Sequence, residues 1–307
     1  MSEHDKKRET DAHTGTETTG HEWDGIKELD TPLPRWWLYI FYACCAWAVV
    51  YWIFMPAWPA LPGLAGETDH TRGLRNHSER ANVAMALDAL DAQRADGFAA
   101  LAGSSITEIE NDPELLGFVL AAGEAVYGDN CATCHGVGAQ GFVGYPNLND
   151  DVWLWGGSYD DIRTTLTVGI RSEHPDTRFS QMPAYGRDQL LSRAEIGDVT
   201  DYVLSLSGTS ADVGAIQRGA TVFEVQCASC HMADGTGDRA QGAPNLTDRD
   251  WLYGGSREQV MATIHRGPYG VMPAWESRLD EATIDALAAY VFLLGGGEDA
   301  TAGPTGQ

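Results

Sequence analysis

The chain has 307 residues, too many for one ordinary domain, and 43% are hydrophobic, which excludes wholesale disorder and leaves room for two or three packed units. Its formal net charge of −24 disfavours nucleic acid and favours a basic partner, because charge steers association. An acidic proteome suited to a saline habitat would give the same balance.

Taken in chain order, residues 1–35 are polar, rich in Thr, Glu and Asp, and read as a mobile segment. Pro32 and Pro34 lead into an apolar run. From Trp36 to Phe54, 19 residues carry no charge, Pro56 closes the run, and a weakly apolar extension reaches Trp58. That is enough to span a bilayer. Trp36, Trp37 and Tyr39 at one end, with Tyr51, Trp52 and Trp58 at the other, read as interfacial belts. A cleaved signal peptide fits poorly: the polar lead is 35 residues, the run exceeds an h-region, and no cleavage site follows. Residues 36–58 are therefore expected to be an uncleaved transmembrane anchor, with Cys44 and Cys45 as small apolar residues inside it. Lys27 and Arg35 before the span balance Arg72 and Arg75 after it, so charge does not orient it.

Pro56, Pro59 and Pro62 with Gly63 and Gly66 suggest a stiff exit into a linker, residues 59–117. Within it, Val83, Leu87, Leu90, Phe98 and Leu101 fall on one face of a helix from Ser78 to about Leu101, with Arg94 the exception.

The rest is an internal repeat. The first copy, residues 118–208, contains Cys131-Ala132-Thr133-Cys134-His135, Pro146-Asn147-Leu148, Trp153-Leu154-Trp155-Gly156-Gly157-Ser158 and Met182-Pro183-Ala184. The second, residues 214–297, repeats these as Cys227-Ala228-Ser229-Cys230-His231, Pro244-Asn245-Leu246, Trp251-Leu252-Tyr253-Gly254-Gly255-Ser256 and Met272-Pro273-Ala274. Each closes on a helical stretch with a Tyr-Val pair, Tyr202-Val203 and Tyr290-Val291. Ser192 with Glu195 reads as a capping box opening one such helix, and Asp280 caps the other. Gly208 to Gly214 reads as the link between copies, and residues 298–307 as a flexible tail.

Cys-x-x-Cys-His is the haem-attachment spacing, and it occurs twice. Two thiols a helical turn apart can each add to a vinyl group of one haem, and the next histidine reaches the iron. Cys131, Cys134 and His135 are thus expected to hold one haem, and Cys227, Cys230 and His231 a second. A four-thiolate zinc site from the two Cys pairs would leave the histidines and the duplicated landmarks unexplained. For the sixth ligand, Met182 and Met272 are the only methionines matched between copies, following their histidines by 47 and 41 residues. His174 and His265 are rivals but do not align between copies. His/Met ligation leaves no open iron and raises the potential. Pro146 and Pro244 carbonyls could orient the histidines, Arg171 and Arg266 (matched in the repeat) could pair with haem propionates, and Trp153 and Trp251 read as core against a haem edge. Haem c is attached outside the bacterial cytoplasm. The haem domains are therefore expected in the periplasm, the N-terminus in the cytoplasm, and a single pass through the inner membrane.

The lead His21-Glu22-Trp23-Asp24-Gly25-Ile26, with Leu29 and Pro32 to Trp37, then one span and two haem motifs, resembles the dihaem subunit of cbb3-type cytochrome c oxidases, the CcoP or FixP subunit. The resemblance implies a mainly α chain: one N-terminal transmembrane helix followed by two tandem class I cytochrome c domains. It further implies a subunit of a proton-translocating oxidase that passes electrons from a donor cytochrome c through two covalent haems c. They would go on to a monohaem c subunit and a haem-copper catalytic subunit, this chain having no oxygen-reducing residues of its own. The alternatives are a membrane-anchored dihaem cytochrome serving a periplasmic dehydrogenase, a stand-alone carrier, and a dihaem peroxidase, which the paired Met-Pro motifs argue against.

Overall fold

The computed structural model describes residues 8–58, 73–75, 77–208 and 212–298. The exit prolines Pro59 and Pro62 with Gly63 and Gly66, Arg72, part of the expected link after Gly208, and nearly all of the C-terminal tail lie outside the described residues. The chain divides into two units, residues 1–91 and 92–307.

In the first unit, strands β1 (Thr18–Trp23) and β2 (Ile26–Leu29) pair antiparallel. Asp24 and Gly25 between them sit at φ 48° and 86°, the left-handed values that a two-residue hairpin needs. Glu22 faces Lys27 and Trp23 faces Ile26 across the ladder, and Lys27 also pairs with Glu9. This corrects the expectation of a mobile 1–35 segment: an Asp-Gly turn flanked by pairable side chains is enough to order a hairpin. Helix α1 (Arg35–Phe54) is 20 residues long with a mean hydropathy of 1.7, and none of its side chains is buried by the chain itself. An α-helix satisfies its interior backbone polar groups within itself, which suits a bilayer, and Trp37 and Leu38 N–H at its start reach Pro34 O at 3.0 and 3.1 Å. At its end the Ile53 and Phe54 carbonyls accept from Leu74 and Arg75 N–H at 2.9 and 3.1 Å.

Helix α2 (Glu79–Leu101) leads into the second unit, which holds α3 (Ile106–Asn111), α4 (Pro113–Asn130), α5 (Ala132–His135), α6 (Tyr159–Val168), α7 (Arg193–Leu206), α8 (Val213–Gln226), α9 (Ala228–His231), α10 (Arg257–Arg266) and α11 (Glu281–Phe292). Local chemistry sets their starts. Ser192 and Glu195 form a capping box on α7, Ser256 and Gln259 another on α10, and Asp280 accepts from Thr283 N–H at α11.

The packing crosses between the repeats. Helix α4 lies against α11, and α6 against α11, whereas α7 packs on α8 and α10. One core therefore joins Tyr127, Cys131, Ile162 and Leu166 to Trp275, Ile284, Leu287 and Val291. A second joins Tyr185, Ile196, Val199 and Val203 to Phe223, Val260 and Ile264. A third cluster, Leu101, Ile109, Leu115 and Val119 against Ala286 and Ala289, roofs the other side of α11. Fully buried Val119, Val199 and Leu287 each contribute about 1.5–3 kcal/mol by leaving water. The helix crossings show the exchange in detail: Gly123 of α4 leaves no room for a Cβ beneath Tyr290, and Gly219 of α8 none beside Asp198 and Tyr202. Ion pairs repeat the pattern, with Arg163 of α6 on Asp285 and Glu281, and Arg257 of α10 on Asp201.

The sequence repeats at 118–208 and 214–297 thus do not coincide with the packed cores. One core is built from 113–170 together with 270–294; the other is one stretch from Met182 to Arg266. Part of the expected Gly208–Gly214 link is already helix, since α8 begins at Val213 with Asp212 as its cap. The six residues left between α7 and α8 are a short connection, and helices so joined pack on each other as a hairpin.

Candidate haem-binding sites

Helix α4 delivers Cys131 by ending on it, with Cys131 N–H on Tyr127 O at 2.8 Å. The motif then closes one turn, Cys134 and His135 N–H both reaching Cys131 O at 3.0 and 2.9 Å. The buried Tyr127 hydroxyl donates to Gly136 O at 2.8 Å and ties this turn to α4. The second motif matches it: Cys227 N–H on Phe223 O at 2.8 Å, with Cys230 and His231 on Cys227 O at 3.1 and 2.9 Å. Each turn therefore holds two thiols and an imidazole in a fixed array, and none of the four cysteines is in a disulfide.

His135 Nδ1 lies 3.0 Å from Pro146 O, and His231 Nδ1 3.1 Å from Pro244 O. A carbonyl can only accept, so Nδ1 carries the proton in each ring and the Nε2 lone pair is left for a metal. Burial lowers both imidazole pKa values, against the opposing pull of the proline carbonyl, and so favours the neutral ring. Burial likewise pushes the Cys131 and Cys227 thiols up to about 11.

The methionine loops are exchanged with the helices that carry them. Met272 and Ile170 share two backbone hydrogen bonds, 2.9 and 3.0 Å, and Trp275 N–H reaches Leu166 O at 2.9 Å. Gly169 (φ 69°) caps α6 directly under the Met272-Pro273-Ala274 backbone. Gly267 (φ 57°) caps α10 under Met182-Pro183-Ala184 in the same way. No Cβ fits at either glycine, and positive φ adds to the requirement. Met272 packs on the core of Cys131, and Met182 on the core of Cys227. Order along the chain groups His135 with Met182 and His231 with Met272; the packing instead sets Met272 on the core that includes Cys131 and Met182 on the core beside Cys227.

The two glycines also set the alignment of the repeats. Because Gly169 and Gly267 occupy equivalent places, Arg266 corresponds to Val168 and Arg171 to Tyr269, so Arg171 and Arg266 are not a matched pair. Arg171 is spent on carbonyls, Nε to Gly270 O at 2.5 Å and Nη1 to Ser180 O at 3.0 Å. Arg266 turns back on its own helix, Nε to Ala262 O at 3.3 Å. Trp153 packs on the first core with its Nε1 on Gly296 O, and Trp251 on the second. His174 is held by Glu276 at 2.8 Å, and His265 offers its carbonyl to Gly186 and Arg187. The matched Gly after each helix was legible in the sequence; Arg178, whose guanidinium is bound on Trp155 and Asp161, had no signal there.

Each core so provides two free thiols, an imidazole with an available Nε2 and a methionine loop, a donor set that fits a covalently attached haem and its two axial ligands. The two Cys pairs lie in different cores. Among the described residues, no three His, Cys, Asp or Glu side chains converge on a metal position, which removes the basis for a four-thiolate zinc site.

Comparison with known proteins matches residues 15–62 to the N-terminal domain of cytochrome oxidase-cbb3, FixP. Residues 120–207 match cytochrome c, and 214–291 match cytochrome c oxidase, cbb3-type, subunit III. A cbb3-type cytochrome c oxidase subunit FixP from Bradyrhizobium sp. (strain ORS 278) is 52% identical, over 94% of this chain and 98% of that protein. The chain belongs to the FixP/CcoP family of cbb3-type cytochrome c oxidase subunits. Other members include a CcoP from Azospirillum sp. (strain B510), 48% identical over 94% of this chain and 98% of its own length. A CcoP from Cereibacter sphaeroides is 49% identical over 92% and 95%. Two cytochrome c domains behind an apolar helix are thus the plan of this FixP/CcoP chain, and cytochrome c domains imply covalently bound haem c.

Proposed function

We propose that this chain is the electron-carrying subunit of a cbb3-type terminal oxidase, holding two covalent haems c with crossed axial ligands. The doubled donor set, seated on exchanged cores in a chain of this family, carries the reading. Cys131, Cys134 and His135 hold one haem, with Met272 as the sixth ligand. Cys227, Cys230 and His231 hold the other, with Met182. Haem iron supplies a one-electron couple, and His/Met ligation sets it high and leaves no open coordination position. The protein's part is to keep both imidazoles oriented by Pro146 and Pro244, keep both methionine loops locked against glycine, and exclude water from the two cores.

In this reading α1 anchors the chain in the inner membrane with the N-terminal hairpin cytoplasmic and the haem domains periplasmic, because haem c is attached outside the cytoplasm. Electrons pass from a donor cytochrome c to these haems, then to a monohaem c subunit and the haem-copper subunit that reduces oxygen and translocates protons. The chain itself reduces no oxygen. The acidic surface suits a basic donor, and rising salt should slow electron input if it does. A C-terminally tagged chain, extracted in mild detergent, tests this place in the complex. Haem b and copper should co-purify with haem c and with cyanide-sensitive oxygen uptake. Haem c alone from an intact extraction would leave a stand-alone dihaem carrier or dehydrogenase subunit.

A further inference from the structure

The copies differ most just before the first methionine. Between Gly169 and Met182 the chain makes a loop that the second copy lacks, since Gly267 reaches Met272 in far fewer residues. Arg178 lies in this loop. Its backbone joins a small ladder: Arg178 N–H donates to Gly169 O at 3.1 Å, Arg178 O accepts from Arg171 N–H at 2.9 Å, and Ile170 between them is bonded on its other side to Met272. Arg178 is therefore one backbone pairing away from the proposed axial ligand of the first core.

Its side chain is held closely. Nη1 donates to Trp155 O at 2.7 Å and Nη2 to Asp161 O at 3.2 Å, and the guanidinium stacks on the Trp155 ring at 5.6 Å. Asp161 opens α6, whose Ile162 and Leu166 line the core containing Cys131. The carboxylate that pairs with this guanidinium, Asp161, takes Nη2 on Oδ1 at 3.4 Å, while Ser158 donates to its Oδ2. What remains is Nε, a buried donor on a permanent cation with no partner, the only such buried side-chain atom among the described residues. A donor left bare in a protein interior costs about 1–3 kcal/mol, more on a charged group, so the position calls for an acceptor. Asp161 on α6 of the first core, and Trp155, whose ring lies against Gly242, together hold the guanidinium rigidly enough to aim it.

We propose that Arg178 Nε binds a carboxylate of the haem attached at Cys131 and Cys134, the role the sequence had offered to Arg171 and Arg266. The anion is a haem propionate, because among the described residues the one carboxylate paired with Arg178, that of Asp161, meets Nη2 and leaves Nε unmet. Arg178 thereby positions this haem, and its charge favours the reduced state. The second core, lacking the loop, has no counterpart. This asymmetry makes the first haem the higher-potential partner, other things being equal.

The inference rests on the crossed-ligand reading, and the experiment separates the two. Redox titration of the purified complex gives both haem c potentials, and Met272→His, which changes one ligand, identifies which belongs to the first core. In Arg178→Gln that same potential should fall, with the reduction equilibrium about tenfold less favourable, or about 59 mV for one electron. The other potential should hold, and Arg178→Lys should restore part of the shift by keeping the charge. If Met272→His moves neither potential, or moves the haem of Cys227, the ligand reading fails. If it moves one and Arg178→Gln leaves that one unchanged with both haems attached, the Arg178 proposal is overturned. Should Arg178→Gln not load haem, the propionate bending mode in the resonance Raman spectrum of Arg178→Lys decides. An unshifted mode overturns the proposal.

Discussion

The two haem cores carry the same donors but are assembled from the chain in different ways. The second is one continuous stretch, Met182 to Arg266, in which the methionine precedes the histidine and α7 folds back on α8. The first is split: α4, the motif and α6 come early, and Met272, Trp275 and α11 return after the whole second core has been made. One core can form from local contacts; the other must wait for the end of the chain. Closing a long loop adds little equilibrium cost, so both can be stable, but the split core should form later. The comparison teaches that a sequence repeat and a packed domain need not be the same object.

The harshest test of the difference is truncation after Gly267. The crossed cores predict complete loss of the haem at Cys131 and Cys134 and retention of the one at Cys227 and Cys230. Haem-stained peptide mapping reads this directly, and the opposite result would mean that each repeat folds on its own. Removing a single ligand comes next. Met272→Ala should open the iron held by His135, and Met182→Ala the iron held by His231, each giving carbon monoxide binding at one of two haems.

Smaller effects sharpen the comparison at the helix crossings. Gly123→Ala should push on Tyr290 and cost about 1–3 kcal/mol in the first core, whereas Gly219→Ala should do the same only in the second. Thermal melts followed at each haem's own absorption would separate them. Least of all, Arg163→Ala and Arg257→Ala should each cost about 0.2–1 kcal/mol in their respective cores, more at low salt than at high, because both guanidinium groups are partly exposed. Equal loss in both cores for either variant would argue against separate units.

Much of the site was readable without coordinates. Cys-x-x-Cys-His is local chemistry: two thiols and an imidazole within one turn need only five residues, so spacing identifies Cys131 to His135 and Cys227 to His231. The capping residues Ser192 and Asp280 and the apolar run of α1 are local for the same reason. The Asp24-Gly25 hairpin is equally local: two residues at positive φ close a ladder whose partners lie within twelve positions of each other. Arg178 could not be found, since an orphaned Nε exists only once Trp155 and Asp161 have claimed the rest of the guanidinium.

By itself, then, the sequence determined the Cys-x-x-Cys-His turns, the helix starts and the long apolar helix α1, all set by contacts a few residues apart, and it showed the duplication. Only the tertiary structure decided which methionine packs on which core and which arginine is left with an unmet donor. Those depend on whether α7 packs on α4 or on α8, and a six-residue connection settles it by bringing α8 to α7 first.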